Sequence, residues 1–137
     1  MRKSSALQNN MPITLQNIDN EYLLIKYAED ISSDVFHKFH EELYSYANSN
    51  IAKYQIVDLS DVTELSMTSE DIEAAAFNDI RFFKKLKTIF VAVIAPDDLS
   101  FGLTRMWQTY ADSPFIETDV FKDIDSAKKW ISSKMHA

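Results

Sequence analysis

Four groups of side chains in this 137-residue chain have types and spacings that chemistry could use. His37, His40 and Glu41 form an H-x-x-H-E run. On a helix, i, i+3 spacing sets two imidazoles on neighbouring turns, half of what a zinc ion needs. Zinc proteases space their histidines i, i+4 with a glutamate between, and His37 and Glu41 point away from the apolar stripe with His40 at its edge, so a solvated face is the better reading. Asp97 and Asp98 could be an acid–base pair, but adjacent carboxylates at a helix start more often cap it. Ser66, Thr68 and Ser69 are hydroxyls just ahead of an apolar-periodic segment, again where a helix is capped. Asp79 breaks a pattern: on a helical wheel it falls among Ile72, Ala75, Ala76, Phe83 and Leu86. A lone carboxylate on that face is either turned to water at the helix end or kept as a polar group at the floor of a pocket, paired or protonated. Arg105 could pair with it if the packing brings them together.

The rest of the sequence excludes whole classes of function. It has no cysteine, which removes disulfides, thiolate catalysis and thiolate zinc sites. A single glycine leaves no phosphate-cradling loop, and no G-x-S-x-G, P-loop or dinucleotide fingerprint occurs. The expectation is a protein that is not an enzyme, with no cofactor and no metal. A net charge of −7 disfavours nucleic acid and acidic membranes, both of which attract clustered Lys and Arg. No run approaches the ~20 apolar residues of a membrane span, and the polar start lacks a secretory apolar core, so a cytoplasmic protein is expected.

Positioning these residues falls to a regular alternation of elements. Residues 1–11 read as a flexible tail and residues 12–137 as one domain, long enough to bury roughly two thirds of its unfolded surface. Ile13–Ile18 and Tyr22–Tyr27 are β-type runs around Asp19-Asn20, a pair suited to a tight hairpin turn. Ser32 or Ser33 caps a helix to about Asn48, with Val35, Phe36, Phe39, Leu43, Tyr46 and Ala47 inward. Gln55–Leu59 is the third strand, and Thr68 or Ser69 caps the second helix. Thr88–Ala95 is apolar on both alternating sets, as a strand buried on both faces must be. A third helix follows Pro96, its inner face predicted as Leu99, Gly102, Leu103, Met106, Trp107 and Tyr110. Phe115–Phe121 is the last strand, and Asp125 caps a closing helix. The order ββαβαβαβα predicts an α/β fold: about five strands in a mixed, mainly parallel sheet with an N-terminal antiparallel hairpin. Ligands of such sheets bind outside the carboxyl ends of the parallel strands, which puts Asp58–Ser69 and Pro96–Arg105 around the expected site.

Several short segments carry a family resemblance. Ile56-Val57-Asp58-Leu59-Ser60-Asp61-Val62-Thr63 resembles the strand and loop before the switch site of the STAS superfamily, the fold of bacterial anti-sigma-factor antagonists. Val93-Ile94-Ala95-Pro96, Phe101–Met106, and Val120–Asp123 with Ala127 and Trp130 resemble its SpoIIAA-like branch, which is also similar to CRAL-TRIO lipid carriers. The resemblance spans about residues 12–134. It implies a SpoIIAA-like fold and a non-catalytic regulatory or protein-interaction domain, with Asp58, Asp61, Ser66, Thr68 and Ser69 as the switch or partner loop. The alternative it implies is a carrier or sensor of a small apolar, lipid-like ligand. Antagonists of this type carry an Asp-Ser-Ser-Gly-like switch whose serine is phosphorylated. Here the matching stretch is Ser66-Met67-Thr68-Ser69, lacking both the aspartate and the glycine, and Glu70, Asp71 and Glu73 would oppose a phosphate.

A regulatory protein partner, an apolar small molecule and a second copy of the chain are thus the expected partners. Phe77, Asp79, Pro96, Phe101, Arg105 and Trp107 are the candidate ligand or interface residues. Phe77 and Phe101 point outward on their wheels with arginine nearby, the composition of protein interfaces, so a homodimer is expected.

Overall fold

The computed structural model describes residues 12–137. The tail expected over residues 1–11 lies outside the described residues. Five strands form one sheet in the order β1 (Ile13–Ile18), β2 (Tyr22–Ile31), β3 (Tyr54–Leu65), β4 (Ile89–Ile94) and β5 (Ile116–Phe121). β1 and β2 are antiparallel, and every other neighbouring pair is parallel. The hairpin turns where the sequence places it. Asp19 and Asn20 both take positive φ, 54° and 58°, which short polar side chains tolerate best.

The helices are α1 (Ser33–Tyr44), α2 (Ser69–Phe83), α3 (Asp98–Ala111) and α4 (Ile124–Met135). The first three share one face of the sheet, where Phe36, Phe39, Leu43, Ile72, Phe83 and Leu103 meet Ile25, Val91 and Val93. α4 covers the other face, with Ala127 and Ile131 against Ile56, Ala92 and Ile94. β4 sends Ile89, Val91 and Val93 into one core and Ala92 and Ile94 into the other, as a strand apolar on both sides must. No helix among the described residues is long and apolar enough to cross a membrane.

Several boundaries and faces differ from expectation. The cap of α4 is Asp123, whose carboxylate accepts from Ser126 N, and not Asp125, and β2 runs past Tyr27 to Ile31. α1 ends at Tyr44, not near Asn48. There Ser45 Oγ donates to the Glu42 carbonyl and Ser49 Oγ accepts from Ile51 N, local bonds that compete with further helix. β3 runs on to Leu65, six positions past Leu59, because the second half of the long β2 pairs with it across two register irregularities. Most of the expected Asp58–Ser69 loop is therefore strand. The inner face of α3 is Ser100, Leu103, Thr104, Trp107 and Ala111, while Leu99, Gly102, Met106 and Tyr110 are exposed. The two hydroxyls made that face look polar, but both are satisfied within the helix. Ser100 Oγ bonds Asp97, and Thr104 Oγ1 donates to the Ser100 carbonyl.

Candidate functional site: a buried carboxyl group at a cavity between sheet and helices

α2 must place Ile72, Ala75, Ala76 and Phe83 on the sheet, and its 3.6-residue turn carries Asp79 inward with them. Asp79 is 6% exposed. It is not turned to water, and Arg105, which is exposed, is not its partner. Tyr44, the last residue of α1, donates its hydroxyl to Oδ1 at 2.6 Å, and Trp107 of α3 donates Nε1–H to Oδ2 at 3.3 Å. One carboxyl thus ties three helices together. Burial pushes the Asp79 carboxyl upward, opposed by nearby His40 and then by the bonds from Tyr44 and Trp107. The same burial, with Asp79 alongside, holds the Tyr44 and Tyr27 hydroxyls far above the usual phenol value.

Asp79 borders a cavity of about 80 Å³ between the sheet and α1–α3, lined among others by Tyr27, Phe36, His40, Thr104 and Trp107. His40 is buried rather than at the edge of a solvated face. Its Nδ1 lies 2.8 Å from the Phe36 carbonyl, which accepts a hydrogen bond, so in the neutral ring Nε2 is an acceptor. The walls are mainly apolar, and the polar groups on them are the Asp79 carboxyl, the His40 imidazole, the Tyr27 phenol, the Gln55 amide, the Thr104 hydroxyl and the Trp107 indole N–H. Such a site can bind and orient a compact molecule. The signal in the sequence was the i, i+4 series Phe36, His40, Tyr44, which marks one face of α1.

The expected switch residues have structural partners. Thr68 is the N-cap of α2 and accepts from Asp71 N, while Thr68 N donates to Asp71 Oδ2 at 2.9 Å, a capping box. Ser33 and His37 of α1 also bond Asp71, clamping the starts of both helices together. The Ser33 hydroxyl first, then the Thr68 N–H and His37, hold the Asp71 carboxyl well below the usual carboxylate range. Ser66 Oγ reaches both oxygens of Asp30, Ser69 Oγ reaches Glu70, and Asp58 accepts from Ser60 N and Oγ. Asp61 and Pro96 are exposed, and Pro96 precedes Asp97, which caps α3 through Ser100 N. His37 is thus on Asp71 while His40 faces the core, so the H-x-x-H-E run diverges. Among the described residues no three His, Cys, Asp or Glu side chains are grouped to hold a metal ion. Replacing Thr68 by alanine should lower stability by about 1 kcal/mol in urea unfolding, the usual cost of an N-cap.

Trp107 lines the cavity, whereas Phe77 and Phe101 stand outside it, 65% and 48% exposed. Of the other aromatic residues near α2 and α3, Phe83 is core, and Phe82 and Tyr110 are exposed.

No family model matches the sequence, and no curated protein matches it. Solved structures do match the fold. The unphosphorylated anti-sigma factor antagonist SpoIIAA superposes with a TM-score of 0.64 at 8% identity, over 88% of this chain and 96% of that one. The phosphorylated form of the Bacillus cell fate determinant SpoIIAA gives 0.60 at 8% identity, over 87% and 98%. An uncharacterized protein of the DUF3478 family from Shewanella loihica PV-4, described as having a SpoIIAA-like fold, gives 0.59 at 20% identity, over 87% and 91%. Element order, sheet order and these superpositions agree: the chain has the SpoIIAA-like fold.

Proposed function

We propose that this chain is a non-catalytic regulatory domain that senses a compact ligand in the cavity beneath α1, α2 and α3. The observation that carries the reading is Asp79, a carboxyl kept at an apolar cavity wall by donors from two other helices. Keeping it there costs stability, which a purely structural core would avoid with an apolar residue. Occupancy would reach the surface because the groups holding Asp79 are the end of α1 and the middle of α3. The acceptors on the wall favour a ligand with a hydrogen-bond-donating head and a small apolar body. Volume sets the size: about 80 Å³ is well below the ~300 Å³ at which ordinary ligand pockets begin, so a compact molecule fits better than a lipid chain. Regulation, rather than catalysis, also accords with the fold shared with an anti-sigma factor antagonist.

Native mass spectrometry of the chain and its Asp79→Asn variant, each purified gently from the source cells, tests this. The expected result is a compact molecule on the wild type and its loss or depletion on the variant. Ligand-free wild type contradicts the reading, and a bound acyl lipid favours the carrier alternative instead.

A further inference from the structure

The outer stripe of α2 reads, at helical spacing, Glu70, Glu73, Ala74, Phe77, Arg81, Lys84, the last residue being the C-cap. All six are exposed, and all lie within about 60° of Phe77 around the axis at 100° per residue. The stripe is ordered by charge: acids in its first half, an apolar centre, bases in its second half. It is also symmetric about Phe77, with Glu73 and Arg81 four residues to either side and Glu70 and Lys84 seven. None of the four charged residues forms an ion pair among the described residues. Two acids and two bases leave the stripe neutral in a chain of net charge −7, so this face escapes the repulsion that opposes self-association elsewhere.

A two-fold axis through Phe77, perpendicular to α2, would turn this order onto itself. Glu73 would meet the partner's Arg81, and Glu70 the partner's Lys84, each pair formed twice. Phe77 would meet its own copy, and Ala74 is small enough for close approach. We infer that the outer face of α2 is a homodimer interface, in which two copies pack antiparallel about Phe77 and the charges fix the register. One helix pair alone buries less than the ~1,600 Å² of a standard interface. The exposed Leu99, Phe101 and Met106 of α3, the helix packed beside α2, extend the apolar area. The charge pairs would supply register more than affinity, since like charges set opposite each other are strongly disfavoured.

Sedimentation equilibrium on the full chain at low salt tests this with Glu73→Arg, Arg81→Glu and the double variant carrying both. Wild type should be dimeric at ~50 μM, in line with ordinary interfaces. Each single reversal should weaken the dimer tenfold or more, and the double reversal should restore it. Circular dichroism checks the fold; if either reversal loses helix, Glu70→Lys, Lys84→Glu and their combination probe the same register one turn further out. A wild-type monomer at that concentration, a dimer indifferent to both single reversals, or no recovery in the double variant would each overturn the inference.

Discussion

Replacing Asp79 by alanine is expected to cost about 3 kcal/mol of unfolding free energy at pH 5, whereas asparagine should cost under about 1 kcal/mol. Alanine takes the acceptor from the Trp107 N–H and leaves the Tyr44 hydroxyl only its 3.3 Å bond to the Ala75 carbonyl, and an unpaired buried donor costs ~1–3 kcal/mol. Asparagine keeps the shape: its oxygen accepts from Trp107, and its amide can donate to the Tyr44 oxygen while the Tyr44 proton stays on the Ala75 carbonyl. The pH dependence separates this from simple packing loss. The carboxyl is pushed upward in the folded state, so its stabilising contribution is complete below the unfolded pKa of ~3.9 and falls as pH rises through the folded value. Within that window each pH unit removes about 1.4 kcal/mol from the wild type and nothing from the asparagine variant. Asparagine should therefore gain on the wild type between two pH values that bracket the folded titration of Asp79. Urea unfolding of all three proteins at the two pH values is the measurement.

Phe83→Ala should be more damaging still, at about 3–5 kcal/mol, because Phe83 is 1% exposed and fills the core between α2 and the sheet. Its neighbour Phe82 is 38% exposed and stacks on Tyr44 with ring centroids 4.5 Å apart. Phe82→Ala loses little more than that aromatic pair and should cost about 0.5–1.5 kcal/mol. Against a typical domain stability of ~5–15 kcal/mol, the first change approaches unfolding and the second does not. Equilibrium denaturation of the two variants checks the contrast, and equal losses would show that α2 is rotated from the orientation described.

Adjacent phenylalanines with different fates show where sequence is readable. Local signals were: the Asp19-Asn20 turn, the caps at Thr68 and Asp97, and the two-sided apolar pattern of β4 each depend on residues within one turn or one strand. Together with the alternation of elements they led to the fold. What depends on distant partners was not readable. β3 reaches Leu65 only because β2 continues beside it, and the polar run Ser60–Glu64 gives no hint of that pairing. α3 hides two hydroxyls and exposes Leu99, Met106 and Tyr110, since Ser100 and Thr104 are satisfied by their own helix. Asp79 stood out on its wheel, but its partner Tyr44 lies 35 residues earlier and outside the apolar stripe expected for α1. The sequence puts His40 at the edge of a solvated face and makes Asp71 a first-turn acid; the cavity lining of one and the bonds of the other to Ser33 and His37 depend on packing between helices.

The central claim is that Asp79 is a desolvated carboxyl at the wall of a cavity between the sheet and α1–α3, and a titration of that group tests it most directly. Carbon-13 NMR of the Asp79 side-chain carboxyl, assigned by its absence in Asp79→Asn, should be followed from pH 3 to 9. The midpoint is expected above the ordinary aspartate value of ~3.9, the direction that burial imposes. A midpoint at or below that value would mean that the carboxyl meets water or a fixed cation, and the buried site described here would not exist.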